Sequence, residues 1–112
     1  MADMVTWDRV CDLVSVLPEV EQGISYGTPA CKIRGKLFVR LLEDGERVAI
    51  FTHEREALLT AAPETYTVPS HYTNYPMVVV ALDTADPVEL SELLTESWRI
   101  RAPKRLAATL PR

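Results

Sequence analysis

The chain has 112 residues, 47% of them hydrophobic and 25% charged, with 12 Lys and Arg against 16 Asp and Glu and a formal net charge of −4. That size and balance suit one soluble globular domain spanning residues 1–112 and exclude a disordered chain. No apolar run approaches the roughly 18 residues of a membrane span, and a pI near 5.1 excludes a whole-surface electrostatic grip on DNA.

Thr6 is placed to cap a first helix, in which Val10, Leu13, Val14 and Leu17 recur at the spacing of one helical face. Pro18 ends it near Val16 or Leu17. The following segment replaces helix formers with Gly, Pro and β-branched residues and reads as three strands, Ala30 to Arg34, Lys36 to Leu42 and Arg47 to Phe51. Asp44-Gly45 between the last two is a two-residue hairpin signal. Thr52 should cap a short helix with acids in its first turn and Pro63 beyond its end, and Thr65 to Val68 is a short strand. A polar, aromatic loop, "PSHYTNYP", leads into the most apolar strand, "MVVVAL". Asp86 as cap and Pro87 at the first position then open a long helix with Val88, Leu90, Leu93, Leu94 and Trp98 as its buried stripe. Ala102-Pro103 interrupts it, and a short basic helix follows before Pro111. The expected fold class is α+β: a two-layer sandwich with an N-terminal helix, an antiparallel sheet of about five strands and a C-terminal helix pair.

The chemistry on offer is sparse. His53 and His71 are the two histidines, whereas a zinc site needs three or four ligands at recognisable spacing. Ser25 and Ser97 have no base partner or nucleophile-elbow pattern, and the four glycines are spaced as turn residues. No catalytic activity, metal or cofactor is expected. Cys11 and Cys31 form no CxxC pair and are expected as reduced thiols in a cytosolic protein. The opening "MADMVTWDRV" lacks the basic and then apolar pattern of a signal peptide, in keeping with a cytoplasmic location.

The cations are more informative. Arg99, Arg101, Lys104, Arg105 and Arg112 crowd the last fourteen residues with no acid among them, leaving seven of the twelve cations to face all sixteen acids. Lys32, Arg34 and Lys36 alternate, and Arg40 shares their parity, so period two puts them on one face of an extended segment. If the basic end folds beside them, a local cationic surface forms on an acidic protein. The other grouping is His71, Tyr72 and Tyr75, with Tyr66 nearby, which can line a pocket.

Taken in order, Leu17-Pro18-Glu19-Val20-Glu21, Ser25-Tyr26-Gly27-Thr28-Pro29-Ala30, Ile33-Arg34-Gly35-Lys36-Leu37-Phe38, His71-Tyr72 and Glu92-Leu93-Leu94 with Ser97-Trp98 resemble the MmcQ/YjbR family of small bacterial proteins. The resemblance covers nearly the whole chain. It implies the frataxin-like (CyaY-like) α/β sandwich and DNA binding, the label the family carries. Two aromatic positions depart from the family pattern: Tyr75-Pro76-Met77 stands where a tryptophan usually follows the loop histidine, and Ser97-Trp98 where Ser-Tyr is common. The leading expectation is therefore a non-enzymatic domain that binds DNA weakly and without sequence preference, contacting phosphates through Lys32, Arg34, Lys36, Arg40, Arg99, Arg101, Lys104 and Arg105. The alternative is a protein-interaction or small-ligand module built on His71, Tyr72 and Tyr75. Metal handling by analogy of fold is disfavoured, since the first helix offers only Asp3, Asp8 and Asp12.

Overall fold

The computed structural model describes residues 5–110, so Asp3, Pro111 and Arg112 lie outside the described residues. Helix α1 (Trp7–Val14) starts as expected, with the Thr6 hydroxyl accepting the Arg9 N–H at 3.4 Å. Val10 and Val14 on one face, followed by Leu17 beyond the helix, enter the core.

Four strands, not three, occupy the next segment: β1 (Val20–Ser25), β2 (Thr28–Ile33), β3 (Lys36–Leu41) and β4 (Arg47–Phe51). β1 escapes the alternation rule because it is an edge strand with four consecutive exposed residues, Glu21, Gln22, Gly23 and Ile24. Two X-Gly pairs make the turns around β2. Ser25 faces Thr28 and Ile33 faces Lys36 across the ladders, and all four intervening residues have positive φ: Tyr26 +54°, Gly27 +82°, Arg34 +50° and Gly35 +79°. These are tight turns of the mirror-image type that matches strand twist. The Asp44-Gly45 signal, by contrast, belongs to a longer loop. The closing bond runs from Leu42 N to Arg47 O, and the Asp44 carboxylate accepts the N–H groups of Glu46 and Arg47 at 2.9 and 3.1 Å, which holds residues 43–46 outside the ladder.

Helix α2 (Arg55–Ala61) leads to β5 (Tyr66–Thr67), a short 3-10 turn (Ser70–Tyr72), β6 (Met77–Ala81), α3 (Pro87–Arg101) and α4 (Lys104–Ala107). Thr52 is not the helix cap; its hydroxyl accepts the Glu54 N–H at 3.0 Å, tightening the turn ahead of the helix. Asp86 does cap α3, through Glu89 N. Val88 leaves the expected stripe and is 66% exposed, since it lies about half a turn from Leu90.

All six strands join one antiparallel sheet in the order β1-β2-β3-β4-β6-β5. One face packs on α1 and α3, with Cys31, Ile33, Phe38, Val48, Ile50, Val78 and Val80 against Val10, Val14, Leu90, Leu94 and Trp98. Trp98 is fully buried and its indole N–H donates to the Pro18 carbonyl at 3.0 Å, tying α3 to the turn between α1 and β1. The other face carries a smaller cluster of Leu42, Ala49, Met77 and Val79, with Phe51 and Tyr72 against it. Because β4 and β6 are covered on both faces, they read as continuous apolar runs.

Candidate functional site

The pairing of β2 with β3 decides which side chains reach the second face. Cys31 faces Val39 but Lys32 faces Leu37, so Phe38 is an extra residue and the register shifts. That bulge lets Phe38 and Val39 both turn inward, fully buried, while Leu37 and Arg40 remain on the second face. Helix α3 holds the bulge from behind: Ser97 Oγ donates to the Phe38 carbonyl at 3.2 Å, and one turn later Arg101 Nε donates to the Leu37 carbonyl at 3.0 Å.

A cavity of about 680 Å³ results on this second face. Leu37, Phe51 and Met77 line the sheet end where α3 finishes, with Arg101 beside them; Arg40, Glu43 and Tyr26 line the opposite end; His71, Tyr72, Tyr75 and Pro76 come from the loop before β6. Arg55 shapes that loop. From α2 it donates to four backbone carbonyls, those of Thr73 (2.5 Å), Tyr75 (2.5 Å), Tyr72 (2.8 Å) and Met77 (3.4 Å). Among the described residues no hydrogen bond engages the hydroxyls of Tyr26, Tyr72 or Tyr75. Tyr26 is 82% and Tyr75 64% exposed.

The two arginines of the cavity differ. Arg40 is almost wholly buried; its Nη2 meets Glu43 at 2.7 Å, its Nε donates to Ser25 O at 3.2 Å, and its guanidinium lies 5.4 Å from the Tyr26 ring centre. Glu43 is correspondingly held below the usual carboxylate range, by its backbone hydrogen bond first and Arg40 next. Arg101 has no carboxylate partner among the described residues, and its guanidinium sits over the Phe51 ring at 4.2 Å. Burial pulls its pKa below the ordinary arginine value.

The expected cationic surface is dispersed. Lys32 is half-buried and shares the second face with Arg40. Arg34 is in the β2–β3 turn, paired with Glu19 through both carboxylate oxygens at 2.6 and 3.1 Å. Lys36, Lys104 and Arg105 are exposed. Arg99 is largely covered, bonded to Leu110 O and 3.5 Å from Glu96. Arg40 departs most from the expectation, since burial and Glu43 remove it from any open phosphate-contacting face. The structure does join His71, Tyr72 and Tyr75 in one wall, and His71 packs on Tyr72 with ring centres 4.3 Å apart. Sequence reasoning missed Tyr26, Glu43, Phe51 and Arg55 as site residues. A bulky tyrosine before Gly27, where a mirror-image turn favours Asn or Gly, was the available signal for Tyr26.

His53 lies elsewhere, in a hollow of about 380 Å³ between α2 and α3 with Glu54, Glu89, Glu92 and Glu96. Among the described residues no three His, Cys, Asp or Glu side chains are grouped to hold a metal ion. No helix of these residues is long and apolar enough to cross a membrane.

A family model named YjbR matches residues 15–100, from the end of α1 to the last turn of α3. The chain belongs to the YjbR family. Curated relatives include the uncharacterised proteins Rv2570 of Mycobacterium tuberculosis and Mb2600 of Mycobacterium bovis, each 29% identical over 120 residues, covering 92% of this chain and 93% of theirs. The crystal structure of Deinococcus radiodurans protein DR2400, described as a DUF419 domain, superposes with a TM-score of 0.74 at 22% identity over 88% of this chain and 80% of that one, a likeness of fold. The YjbR match ends at Ile100, so Arg101 and the basic helix α4 follow the matched region.

Proposed function

We propose that this YjbR-family chain is a small-ligand-binding module whose site is the cavity between the second sheet face and the loop before β6. The observation that carries the reading is Tyr26. It is 82% exposed at the cavity rim and sits at φ +54°, a left-handed backbone where a bulky side chain costs about 1–2 kcal/mol relative to glycine. Its ring meets the Arg40 guanidinium at 5.4 Å yet stays mostly in solvent, and strained residues of this kind gather at functional sites. The cavity volume, the aromatic walls and a few convergent polar groups are those of small-molecule sites.

The test is an NMR titration of the ¹⁵N-labelled protein against a set of small aromatic fragments. Shifts should gather at residues 26, 37, 72–77 and 101 and disappear in Tyr75→Ala. Shifts that gather instead around His53, or none with any fragment, overturn the reading.

One observation favours DNA as a second reading. Arg101 bonds the carbonyl of Leu37, the neighbour of Lys36 in the chain, so Lys36 and Arg101 lie toward the same end of β3, with Lys104 and Arg105 following in the sequence. Phosphate contact there would be independent of base sequence.

A further inference from the structure

We propose that the ligand of this cavity is a flat organic anion, its carboxylate or phosphate held by the Arg101 guanidinium and its ring body extending from there across the cavity toward Tyr75 and Tyr26. This rests on the cavity being a ligand site. Three charged side chains line it, Arg40, Glu43 and Arg101, and two of them neutralise each other at 2.7 Å. Among the described residues lining the cavity, the remaining formal charge is the positive one of Arg101.

The way Arg101 is held leaves a particular part of it unused. One face of its guanidinium is taken by Phe51 at 4.2 Å and its Nε by the Leu37 carbonyl at 3.0 Å. Neither terminal nitrogen has a partner among the described residues. The two terminal N–H groups form the planar, end-on fork that accepts two oxygens of one carboxylate or phosphate side by side. Burial disfavours an uncompensated charge there, and an anion offsets that cost. The rest of the lining gives the body of the ligand its character. Phe51, Leu37 and Met77 supply an apolar floor, and the free phenol hydroxyls supply donors at the rim. Tyrosine rings are suited to stacking on a flat conjugated system.

The experiment compares two matched pairs of probes by NMR titration: indole-3-acetate against its neutral amide, and adenosine monophosphate against adenosine. In each pair the ring is kept and the charge removed. A charge-assisted fork is expected to make the anion of at least one pair bind about tenfold or more tighter than its neutral partner. The pair with the larger ratio identifies the head group as carboxylate or phosphate. Arg101→Gln should reduce that ratio to about one, and Arg101→Lys should keep only part of it. Equal binding of anion and neutral probe within the cavity overturns the anion inference and leaves the ligand site standing. Retention of the preference in Arg101→Gln overturns the role of Arg101. If no probe of either charge shifts the cavity residues, the ligand-site reading fails as well. The wild-type ratio needs no variant, so a poorly folded Arg101→Gln does not remove the test.

Discussion

Arg40 shows how the same residue reads differently in one and three dimensions. By alternation it belongs with Lys32, Arg34 and Lys36; in the fold its neighbours are Glu43, Tyr26 and the Ser25 carbonyl. A long side chain whose stem is packed and whose head is neutralised contributes mainly packing. Arg40→Met should therefore change stability by less than about 1 kcal/mol, whereas Arg40→Glu, which sets a second carboxylate beside Glu43, should cost about 3–5 kcal/mol. Urea denaturation separates these outcomes, and equal losses would show that the ion pair itself holds the fold. A nucleic-acid test that reverses the charge of Arg40 would thus report on folding; Lys36 and Lys104, both exposed, are the informative positions. Cys31 makes a second prediction at this scale. Burial first, and contact with Cys11 next, pushes its thiol up to about 12 from the ordinary 9.0. The folded state then holds a proton that the unfolded chain releases, so its contribution to stability is full below about pH 9 and declines from there toward pH 12. Denaturation midpoints at pH 8 and pH 10 should fall more in the wild type than in Cys31→Ala; identical falls would remove Cys31 as the cause.

Among the elements, the hairpins and the loop before β6 carry the site. The two mirror-image turns share one design but differ in purpose. Arg34 at φ +50° gains a bidentate partner in Glu19, while Tyr26 at φ +54° extends into solvent beside the cavity. Asparagine tolerates this backbone better, so Tyr26→Asn should stabilise the protein by about 0.5–1 kcal/mol and weaken binding of an aromatic probe. A gain in stability with unchanged probe affinity would make Tyr26 irrelevant to the site. The loop depends on Arg55, which gathers four carbonyls that water would otherwise have to satisfy. Arg55→Ala should cost about 2 kcal/mol and speed amide hydrogen exchange at residues 72–77 ahead of the rest of the sheet. Uniform acceleration would mean that the loop is held by its packing alone. Sequence patterns found α1, β3, β4, β6 and α3 because each has an apolar period or a cap. They missed β1, whose Glu21-Gln22-Gly23 gives no apolar alternation, since pairing with β2 on one side alone makes it a strand.

For the molecule as a whole, acids and cations gather at different places along α3. Glu54, Glu89, Glu92 and Glu96 line the hollow beside α3, while Arg101 stands at the end of the second sheet face next to Lys36. A grip on DNA through the few exposed cations at that end would contact few phosphates, so a labelled duplex titrated at about 50 and 200 mM salt should give a log–log slope of a few units at most, about −0.9 for each phosphate contacted. A Lys36→Glu, Lys104→Glu double variant should abolish that dependence; a steep slope unaffected by it would place the nucleic acid elsewhere. The sequence by itself determined the α+β class, the helix ends set by Thr6, Asp86 and Pro103, the apolar strands, and the family to which the chain belongs, because caps, periodicity and motif order are local or collinear properties. It also brought His71, Tyr72 and Tyr75 together, since they adjoin in the chain. Only the tertiary structure decided that Arg40 is neutralised while Arg101 has no carboxylate partner among the described residues, that Tyr26 joins the loop tyrosines across the sheet, and that Arg55 holds the loop. Each of these depends on strand register and on where α3 ends against β3, and a one-residue bulge at Phe38 is enough to choose which side chains share a face.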